Sequence, residues 1–251
     1  MIKAIIFDLD GTAIPNEENG MPSQRLKETV AKAKQQVKVS VATGRPISNA
    51  LHILQSLKIT SPCVIAGGTQ IIDPITLETL WKKELSADQV REIITIAKAY
   101  PYDVWISNQN NASPAIEKIA IQPEQIIFIM TVSKKDTKII VQKLAQIPDI
   151  STHEVISWTP DHLDIHITHK DATKKHALEE LLKLENLAKE NIMAVGDANN
   201  DLPLFEVAGF KVAMGNGSDR LKEAADYITD SVEEDGLAKA IEKKLSLSVR
   251  Y

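Results

Sequence analysis

The chain begins and ends with short apolar runs that alternate with amphipathic stretches. Near the N-terminus, strands are predicted at 4–7, 37–41 and 64–66, and helices are predicted to begin at Ser23 and Pro46. A run that is apolar throughout, such as 4–7, is typical of a strand buried in a parallel sheet. The order strand, helix, strand, helix, strand therefore predicts an α/β fold with a doubly wound, Rossmann-like parallel sheet.

The same alternation returns after residue 170. A helix is predicted to begin at Asp171 or Thr173, and strands are predicted at 192–195 and 211–214. Shorter elements complete this part, with helices at 202–205, 218–225 and 236–245 and a strand at 227–229. We therefore expect 1–81 and 171–251 to form one core domain together.

Residues 82–170 show a different order of elements. Helices are predicted from Ser86 and over 134–147, among strands at 104–107, 126–132, 155–158 and 163–168. The polar run 108–111 is predicted to be a loop. Because helices and strands no longer alternate one for one, we expect 82–170 to be an inserted α+β domain with an antiparallel sheet.

Composition narrows the class of protein. Apolar residues make up 43% of the 251 positions and charged residues 25%, so the chain is globular and long enough to bury a core. The net charge is -5 and no long basic run occurs, so general nucleic-acid binding is not expected. Cys63 is the single cysteine, which excludes an intrachain disulfide and a cysteine-rich zinc site.

Other sequence features concern the cellular location and the oligomeric state of the protein. No stretch of about 18 apolar residues occurs, and the sequence starts directly with a strand. We therefore expect neither a signal peptide nor a membrane span, and a cytoplasmic protein fits best. The sequence leaves the oligomeric state open between a monomer and a homodimer.

Two carboxylates, Asp8 and Asp10, stand where the first predicted strand ends. In an extended chain, side chains two residues apart point to the same face, and Gly11 then lets the backbone turn close to a ligand. Adjacent carboxylates repel, and each raises the pKa of the other unless a cation lies between them. The pair therefore suggests a hard divalent metal or a shared proton, with an ordinary Asp-Gly turn as the alternative.

Three further segments place polar residues at strand ends or at a helix start: Thr43-Gly44-Arg45, Lys174, and Asp197 with Asn200 and Asp201. Carboxylates in an all-oxygen environment suit Mg²⁺. The hydroxyl of Thr43, the backbone of Gly44 before a helix and the ammonium of Lys174 suit a phosphate. Such anion-binding groups beside a metal site indicate phosphoryl transfer, in which one carboxylate attacks phosphorus and another moves the proton.

With these motifs, the sequence resembles the haloacid dehalogenase-like hydrolases, and more narrowly their Cof-type subclass of sugar-phosphate phosphatases. The resemblance covers both ends of the chain, through Asp8-Leu9-Asp10-Gly11-Thr12, Val41-Ala42-Thr43-Gly44-Arg45, Lys174 before Ala177-Leu178, Gly196-Asp197-Ala198-Asn199-Asn200-Asp201, Val212-Ala213-Met214-Gly215-Asn216 and Asp226-Tyr227-Ile228-Thr229-Asp230. It implies a Mg²⁺-dependent phosphatase for a small phosphorylated metabolite. It also implies that 82–170 is an inserted cap.

The resemblance implies a role for each motif residue. Asp8 would be the nucleophile that forms an aspartyl-phosphate, and Asp10 would be the general acid and base, with its backbone carbonyl on Mg²⁺. Asp197 would complete the metal site formed with Asp8 and Asp10. Thr43 would bind the transferring phosphoryl group, and Lys174 would balance its charge. The remaining candidates around the phosphate are Leu9, Gly11, Thr12, Gly44, Arg45 and Asn200, with Asp201 in a supporting role.

Some of these roles stay open at the level of sequence. Arg45 could bind the phosphate or form an ion pair with a nearby core carboxylate. Lys175 stands where family members usually have glycine, so either Lys174 or Lys175 could supply the functional amine. Gly67-Gly68-Thr69 stands where members often have Asn-Gly-Ala, so a substrate contact by that Asn side chain is lost.

Two other functions remain open from the residues. A phosphomutase or phosphotransferase could use the same aspartyl-phosphate and pass the phosphoryl group to a second alcohol instead of water. A phospho-aspartate signalling module would need no turnover, but Asp10 as a general acid argues against it, and so does the inserted domain. The cap is expected to close over the core and exclude bulk water during transfer.

Overall fold

The computed structural model describes residues 1–17, 19–108, 111–114, 122–157 and 159–247. The chain forms two compact units, one made of Met1–Trp81 with Thr173–Tyr251 and the other made of Lys82–Ala172. The first unit contains a parallel sheet between helices, which confirms the α/β, Rossmann-like class predicted from the alternating pattern.

The centre of the first unit is a five-stranded parallel sheet. Its strands are β1 (Ala4–Phe7), β2 (Lys38–Val41), β11 (Ile192–Gly196), β12 (Phe210–Ala213) and β13 (Tyr227–Ile228), in the order β13-β12-β11-β1-β2. Phe7, near the end of β1, lies in register with Val41 on one side and Val195 on the other. The carboxyl ends of β1, β2 and β11 therefore lie side by side, and the residues that follow them meet at one edge.

Helices cover both faces of this sheet. They are α1 (Gln24–Ala33), α2 (Ile47–Ser56), α5 (Lys174–Leu184), α6 (Leu202–Glu206), α7 (Asp219–Glu223) and α8 (Gly236–Leu245). Ile5 and Phe7 of β1 pack in one apolar cluster with α1, α2 and α8, and Ala4 and Ile6 pack in another with α5 and α6. Burial on both faces is the reason why β1 is apolar throughout.

Helix starts follow the capping signals in the sequence. The hydroxyl of Ser23 accepts a hydrogen bond from the N–H of Leu26 at 3.0 Å and so caps α1, as predicted. Pro46 is the residue before α2 rather than its first residue. Its fixed φ of -67° still suits that position.

The third predicted strand pairs differently from our expectation. It is β3 (Cys63–Ile65), which joins β4 (Gln70–Ile72) and β5 (Thr79–Lys82) in a separate three-stranded sheet, with β3 and β4 antiparallel. A parallel bridge between Ala42 and Val64 links this sheet to the end of β2. A buried apolar run identifies a strand but not its partner, and here the turn after β3 returns the chain at once to β4.

The second unit is α+β with an antiparallel sheet, as predicted. Its helices are α3 (Ala87–Ala97) and α4 (Lys134–Leu144), and its strands are β6 (Val104–Asn108), β7 (Asn111–Pro114), β8 (Ile126–Ser133), β9 (Ile150–Ile156) and β10 (His162–His169). The strand order is β7-β6-β8-β10-β9. Strand β7 was not predicted, because its sequence Asn-Ala-Ser-Pro is polar and contains proline. It lies at the edge of the sheet, where proline is tolerated.

A few predicted elements include residues that the structure does not describe. The predicted loop 108–111 begins and ends in strands, since Asn108 closes β6 and Asn111 opens β7. Gln109 and Asn110 lie outside the described residues, as does Trp158 at the end of the predicted strand 155–158. Among the helices that are described, none has the length and apolar character needed to cross a membrane.

The start of α3 provides a test of local folding in the second unit. The hydroxyl of Ser86 accepts from the N–H of Gln89 at 3.3 Å, and the side-chain oxygen of Gln89 accepts from the N–H of Ser86 at 2.8 Å. We expect Ser86→Ala to lower the free energy of unfolding by about 1 kcal/mol, because one N–H of the first turn loses its partner. Urea unfolding followed by circular dichroism measures this loss.

Ser48→Ala is the matched control, because Ser48 is exposed on α2 and its hydroxyl donates to the side chain of its neighbour Asn49. Its free energy of unfolding should change by less than about 0.5 kcal/mol. Equal losses in the two variants would contradict the capping role of Ser86.

Candidate active site

Asp8 is the first residue after β1, and it is buried. Its backbone N–H donates to the carbonyl of Val195 at 3.1 Å, so the pairing with β11 continues past the end of the strand. The chain then turns around the carbonyl of Leu9, which accepts hydrogen bonds from the N–H groups of residues 12–14. This turn fixes Asp8 at the carboxyl edge of the parallel sheet.

Lys174 begins α5, and its side chain is only 5% exposed. Its Nζ donates to Oδ1 of Asp8 at 3.1 Å and to Oδ1 of Asp201 at 2.7 Å. A buried ammonium needs such partners, since leaving one member of a buried ion pair alone costs roughly 3–5 kcal/mol. Three candidates from distant parts of the sequence are thus in direct contact.

Lys175 is directed elsewhere. Its Nζ pairs with Oε2 of Glu206 at 2.6 Å, and its side chain is about half exposed. Neighbouring residues of a helix point roughly 100° apart, so both lysines cannot face Asp8 from one helix start. The geometry therefore favours Lys174 as the functional amine.

Asp201 supports this arrangement from the turn after β11. It is fully buried, and its Oδ2 accepts from the N–H of Asp197 at 3.1 Å and from that of Ala198 at 3.2 Å. A Cβ on Gly196 would lie 2.6 Å from the Cβ of Asp201, so only glycine allows this turn to close on the carboxylate. Asp201 therefore ties Lys174 to the backbone that carries Asp197.

Asp197 is half-buried and faces the turn after β1. Its Oδ1 accepts from the hydroxyl of Thr12, one of the candidates around the phosphate, at 3.0 Å. Gly11 has a φ of +72°, and a Cβ there would lie 2.3 Å from Oδ2 of Asp197. Carboxylate oxygens of Asp8, Asp197 and Asp201 all lie within 4.8 Å of one another.

The protonation behaviour of this cluster follows from its burial. Burial raises the pKa of Asp8 from 3.8 to about 7, although Lys174 opposes this change. Burial also raises the pKa of Asp197 to about 6, and the negative charge of Asp201 adds to the increase. Burial would lower the pKa of Lys174, but Asp8 and Asp201 outweigh it and hold that pKa above its ordinary value. The cluster is thus short of positive charge.

The donors of the cluster fit a hard divalent cation. All of them are carboxylate oxygens, the ligands that Mg²⁺ prefers. Lys174 and Thr12 engage only Oδ1 of Asp8 and of Asp197, whereas Asp201 uses both of its oxygens in hydrogen bonds. Asp8 and Asp197 are therefore the side chains that could hold such an ion.

The side chain of Asp10 has a different partner. Nε of Arg45 donates to Oδ1 of Asp10 at 3.1 Å and to Oδ2 at 2.9 Å, and Nη2 also donates to Oδ1. Of the two possibilities raised for Arg45, the structure shows the ion pair with a carboxylate. The guanidinium of Arg45 therefore engages both carboxylate oxygens of Asp10 in this structure.

The segment after β2 contributes a hydroxyl and an open backbone. Thr43 is buried, its N–H donates to the carbonyl of Val64 at 3.0 Å, and its Oγ1 accepts from the N–H of Arg45 at 3.1 Å. Gly44 is exposed, and in the part of the chain that the structure describes no atom beyond its sequence neighbours lies within 4 Å of the position that a Cβ would take. A ligand could therefore approach the backbone of Gly44.

Two other expected phosphate contacts are less direct. The side chain of Leu9 is fully buried in the apolar core, so only its backbone could reach a ligand. Asn200 is exposed, and Asp201 rather than Asn200 contacts Lys174.

The sequence analysis assigned no role to Asn216, which connects the turn after β1 to the segment at Val232. Nδ2 of Asn216 donates to the carbonyl of Gly11 at 2.8 Å, and its Oδ1 accepts from the N–H of Val232 at 3.0 Å. Two residues on, the N–H of Ser218 donates to the carbonyl of Asp197 at 2.7 Å. The signal was a Gly-Asn-Gly turn after β12, at the same edge of the sheet as Asp8.

A family model and a relative of known name both match the family that the sequence motifs resemble. A family model described as haloacid dehalogenase-like hydrolase matches residues 5–117 and 107–241. The chain is 28% identical over 242 residues to the 5-amino-6-(5-phospho-D-ribitylamino)uracil phosphatase YcsE of Bacillus subtilis. That alignment covers 96% of this chain and 94% of the relative.

Solved structures show the same fold. A haloacid dehalogenase-like hydrolase from Bacteroides thetaiotaomicron superposes with a TM-score of 0.82 at 22% identity, covering 97% of this chain and 100% of the other. The subclass IIB sugar phosphatase BT4131 superposes with a TM-score of 0.76 at 22% identity, covering 98% of this chain and 100% of that one.

The lysine pair at the start of α5 gives a direct test of the site. We expect Lys174→Met to lower the free energy of unfolding by about 3 kcal/mol at pH 8, because Asp8 and Asp201 lose their buried counter-ion. Lys175→Met removes only a half-exposed ion pair and should cost far less stability than Lys174→Met. Urea unfolding of both variants measures the difference, and equal losses would show that Lys174 is not the buried partner.

Proposed function

Because this chain belongs to the haloacid dehalogenase-like hydrolases and is a phosphoric monoester hydrolase, we propose that Asp8 transfers the phosphoryl group of a small metabolite to water. The reaction proceeds through an aspartyl-phosphate on Asp8, with Mg²⁺ as the cofactor. The observation that carries this proposal is the buried contact of Lys174 with Asp8 and Asp201 at the carboxyl edge of the sheet.

The first chemical step forms a bond between a carboxylate oxygen of Asp8 and phosphorus and breaks the bond from phosphorus to the leaving oxygen. Oδ1 of Asp8 is held by Lys174, which fixes the orientation of the carboxylate. Lys174 and the hydroxyl of Thr43 bind the oxygens of the transferring group. Positioning and charge neutralisation of this kind supply most of the catalysis in phosphoryl transfer.

Asp10 moves the proton in both steps. It protonates the leaving oxygen in the first step and takes a proton from water when the aspartyl-phosphate is hydrolysed. Arg45 donates to both carboxylate oxygens of Asp10 in this structure. Asp10 must therefore exchange at least one of these hydrogen bonds for the leaving oxygen, and Arg45 keeps the carboxylate near the site between turnovers.

The side chains of Asp8 and Asp197 and the backbone carbonyl of Asp10 would hold Mg²⁺. The ion would supply the positive charge that the carboxylate cluster lacks and offset charge on the phosphoryl oxygens. Thr12 and Asp201 act on this site indirectly, through the hydroxyl bond to Asp197 and the bonds to its backbone.

The proposal also names the chemical class of the substrate. The relative from Bacillus subtilis is named for a substrate with a phosphorylated ribityl chain, and BT4131 is named a sugar phosphatase. Both names support a phosphorylated sugar or sugar alcohol as the preferred substrate here. The named relative is a hydrolase, which favours water over a second alcohol as the acceptor.

The same proposal assigns roles to the parts of the chain. Residues 1–81 with 171–251 form the catalytic core, and 82–170 form the inserted cap domain. The substrate is a small molecule rather than a nucleic acid or a membrane lipid, and the protein acts in the cytoplasm.

Replacement of the nucleophile gives the first functional test. We expect Asp8→Asn to lower phosphate release from phosphorylated sugars by about 10³-fold or more with Mg²⁺ present, because an amide cannot form the aspartyl-phosphate. Asp219→Asn, at an exposed position in α7, should leave the rate within about 2-fold. Beryllofluoride should bind the unmodified protein and not Asp8→Asn. An unchanged rate of phosphate release in Asp8→Asn would contradict the assignment of Asp8 as the nucleophile.

Metal binding can be tested without turnover. In the absence of metal, the pKa values of Asp8 and Asp197, about 7 and about 6, lie above their ordinary value of 3.8. The folded state therefore holds extra protons, and the stability that they contribute is complete below pH 3.8 and lost as pH rises through 7. Mg²⁺ bound by Asp8 and Asp197 would take the place of these protons.

We therefore expect Mg²⁺ to raise the melting temperature more at pH 8 than at pH 5, because fewer protons compete at the higher pH. Differential scanning calorimetry with Mg²⁺ or EDTA measures this difference. Asp197→Asn should reduce the effect of Mg²⁺ at pH 8. An equal shift at both pH values, or a full shift in Asp197→Asn, would rule out this metal site.

A further inference from the structure

Gly67 interrupts a buried segment next to the proposed active site. It is exposed, whereas all other residues of 63–72 are buried. Gly67 has a φ of +69°, and its neighbours Ala66 and Gly68 have φ values of +48° and +101°. Three successive residues therefore adopt the left-handed region, which costs energy for Ala66. Backbone strain of this kind persists only where surrounding contacts hold it in place.

Those contacts attach the turn to the backbone of residues proposed to bind phosphate. The N–H of Gly67 donates to the carbonyl of Thr43 at 3.1 Å, and the N–H of Ala66 donates to the carbonyl of Arg45 at 2.8 Å. On the other side, a Cβ on Gly68 would lie 2.3 Å from the backbone nitrogen of Lys174. Gly67 is thus held between the backbones that carry Thr43 and Lys174.

Gly67 and Gly68 are glycines for different reasons. Gly68 is crowded, because a Cβ there would collide with the backbone of Thr173 at 2.2 Å. At Gly67, apart from its neighbours in sequence, no atom of the described residues lies within 4 Å of the position that a Cβ would take. Within the described residues, the space beside Gly67, next to the backbone of Thr43, is therefore left open.

We propose that Gly67 is a specificity-determining position, whose bare backbone leaves room for a substituent on the carbon that carries the phosphate. The protein then accepts phosphates of secondary alcohols as well as those of primary alcohols. This inference rests on the proposed function, because it assumes that the phosphoryl group binds at Thr43 and Lys174.

Glycerol 2-phosphate and glycerol 1-phosphate are the matched probes, since they contain the same atoms and differ in branching at the ester carbon. The variants are Gly67→Asn and Gly67→Ala, measured as kcat/KM for both probes with Mg²⁺ present. Asparagine tolerates the left-handed conformation better than alanine but is bulkier. If backbone strain causes the loss of activity, Gly67→Ala should lose more than Gly67→Asn. If loss of space causes it, Gly67→Asn should lose more than Gly67→Ala.

We expect the unmodified protein to hydrolyse both probes. Gly67→Asn should lower kcat/KM for glycerol 2-phosphate by about 10-fold more than for glycerol 1-phosphate, and Gly67→Ala should show a smaller preference. The melting temperature should fall further in Gly67→Ala than in Gly67→Asn, which shows that selectivity does not follow stability.

Three results would overturn this inference alone: hydrolysis confined to primary phosphates in the unmodified protein, no change of preference in Gly67→Asn, or equal losses for both probes that follow the melting temperature. Absence of phosphate release from every phosphomonoester tried, p-nitrophenyl phosphate included, would overturn the proposed function itself. The two failures are therefore distinguishable.

Discussion

The buried ammonium of Lys174 is the group on which the rest of the site depends. Its partners Asp8 and Asp201 lie 166 and 27 residues away in sequence, so the contact forms only when β1, β11 and α5 are packed together. Each of the three charges would be costly to bury without the others. Folding of the first unit and assembly of the site are therefore one event, and the geometry around Asp8 is set before any substrate binds.

Close approach of backbones gives this arrangement its rigidity. Gly11 lies against the carboxylate of Asp197, and Gly196 lies against Asp201, at distances that no side chain would permit. Gly11 thereby brings the turn after β1 into contact with Asp197 of the turn after β11, and Gly196 lets that second turn close on its own Asp201. Gly67 differs, because the space beside it is open, and the same residue type there serves the ligand rather than the packing.

Much of this could be predicted from the sequence, because buried parallel strands and capped helices leave clear patterns. The doubly wound class is confirmed, and Asp8 was placed at the end of β1 by a short apolar run followed by polar residues. What failed was the choice of partners. The strand at 64–66 pairs mainly with β4 rather than within the parallel sheet. The pattern of apolar and polar residues indicates whether a residue is buried, but not which residue it contacts in the fold.

The same limit explains why chemistry was easier to predict than geometry. Two acidic residues at a strand end indicate a cation or a proton transfer in any fold, because like charges must be offset. Which carboxylate faces the cation depends on where the competing donors lie. Here Arg45 occupies the carboxylate of Asp10, while Lys174 takes only one oxygen of Asp8. Two residues of one type, two positions apart, thus lie in different surroundings, which supports the proposal that Asp8 attacks phosphorus and Asp10 moves a proton.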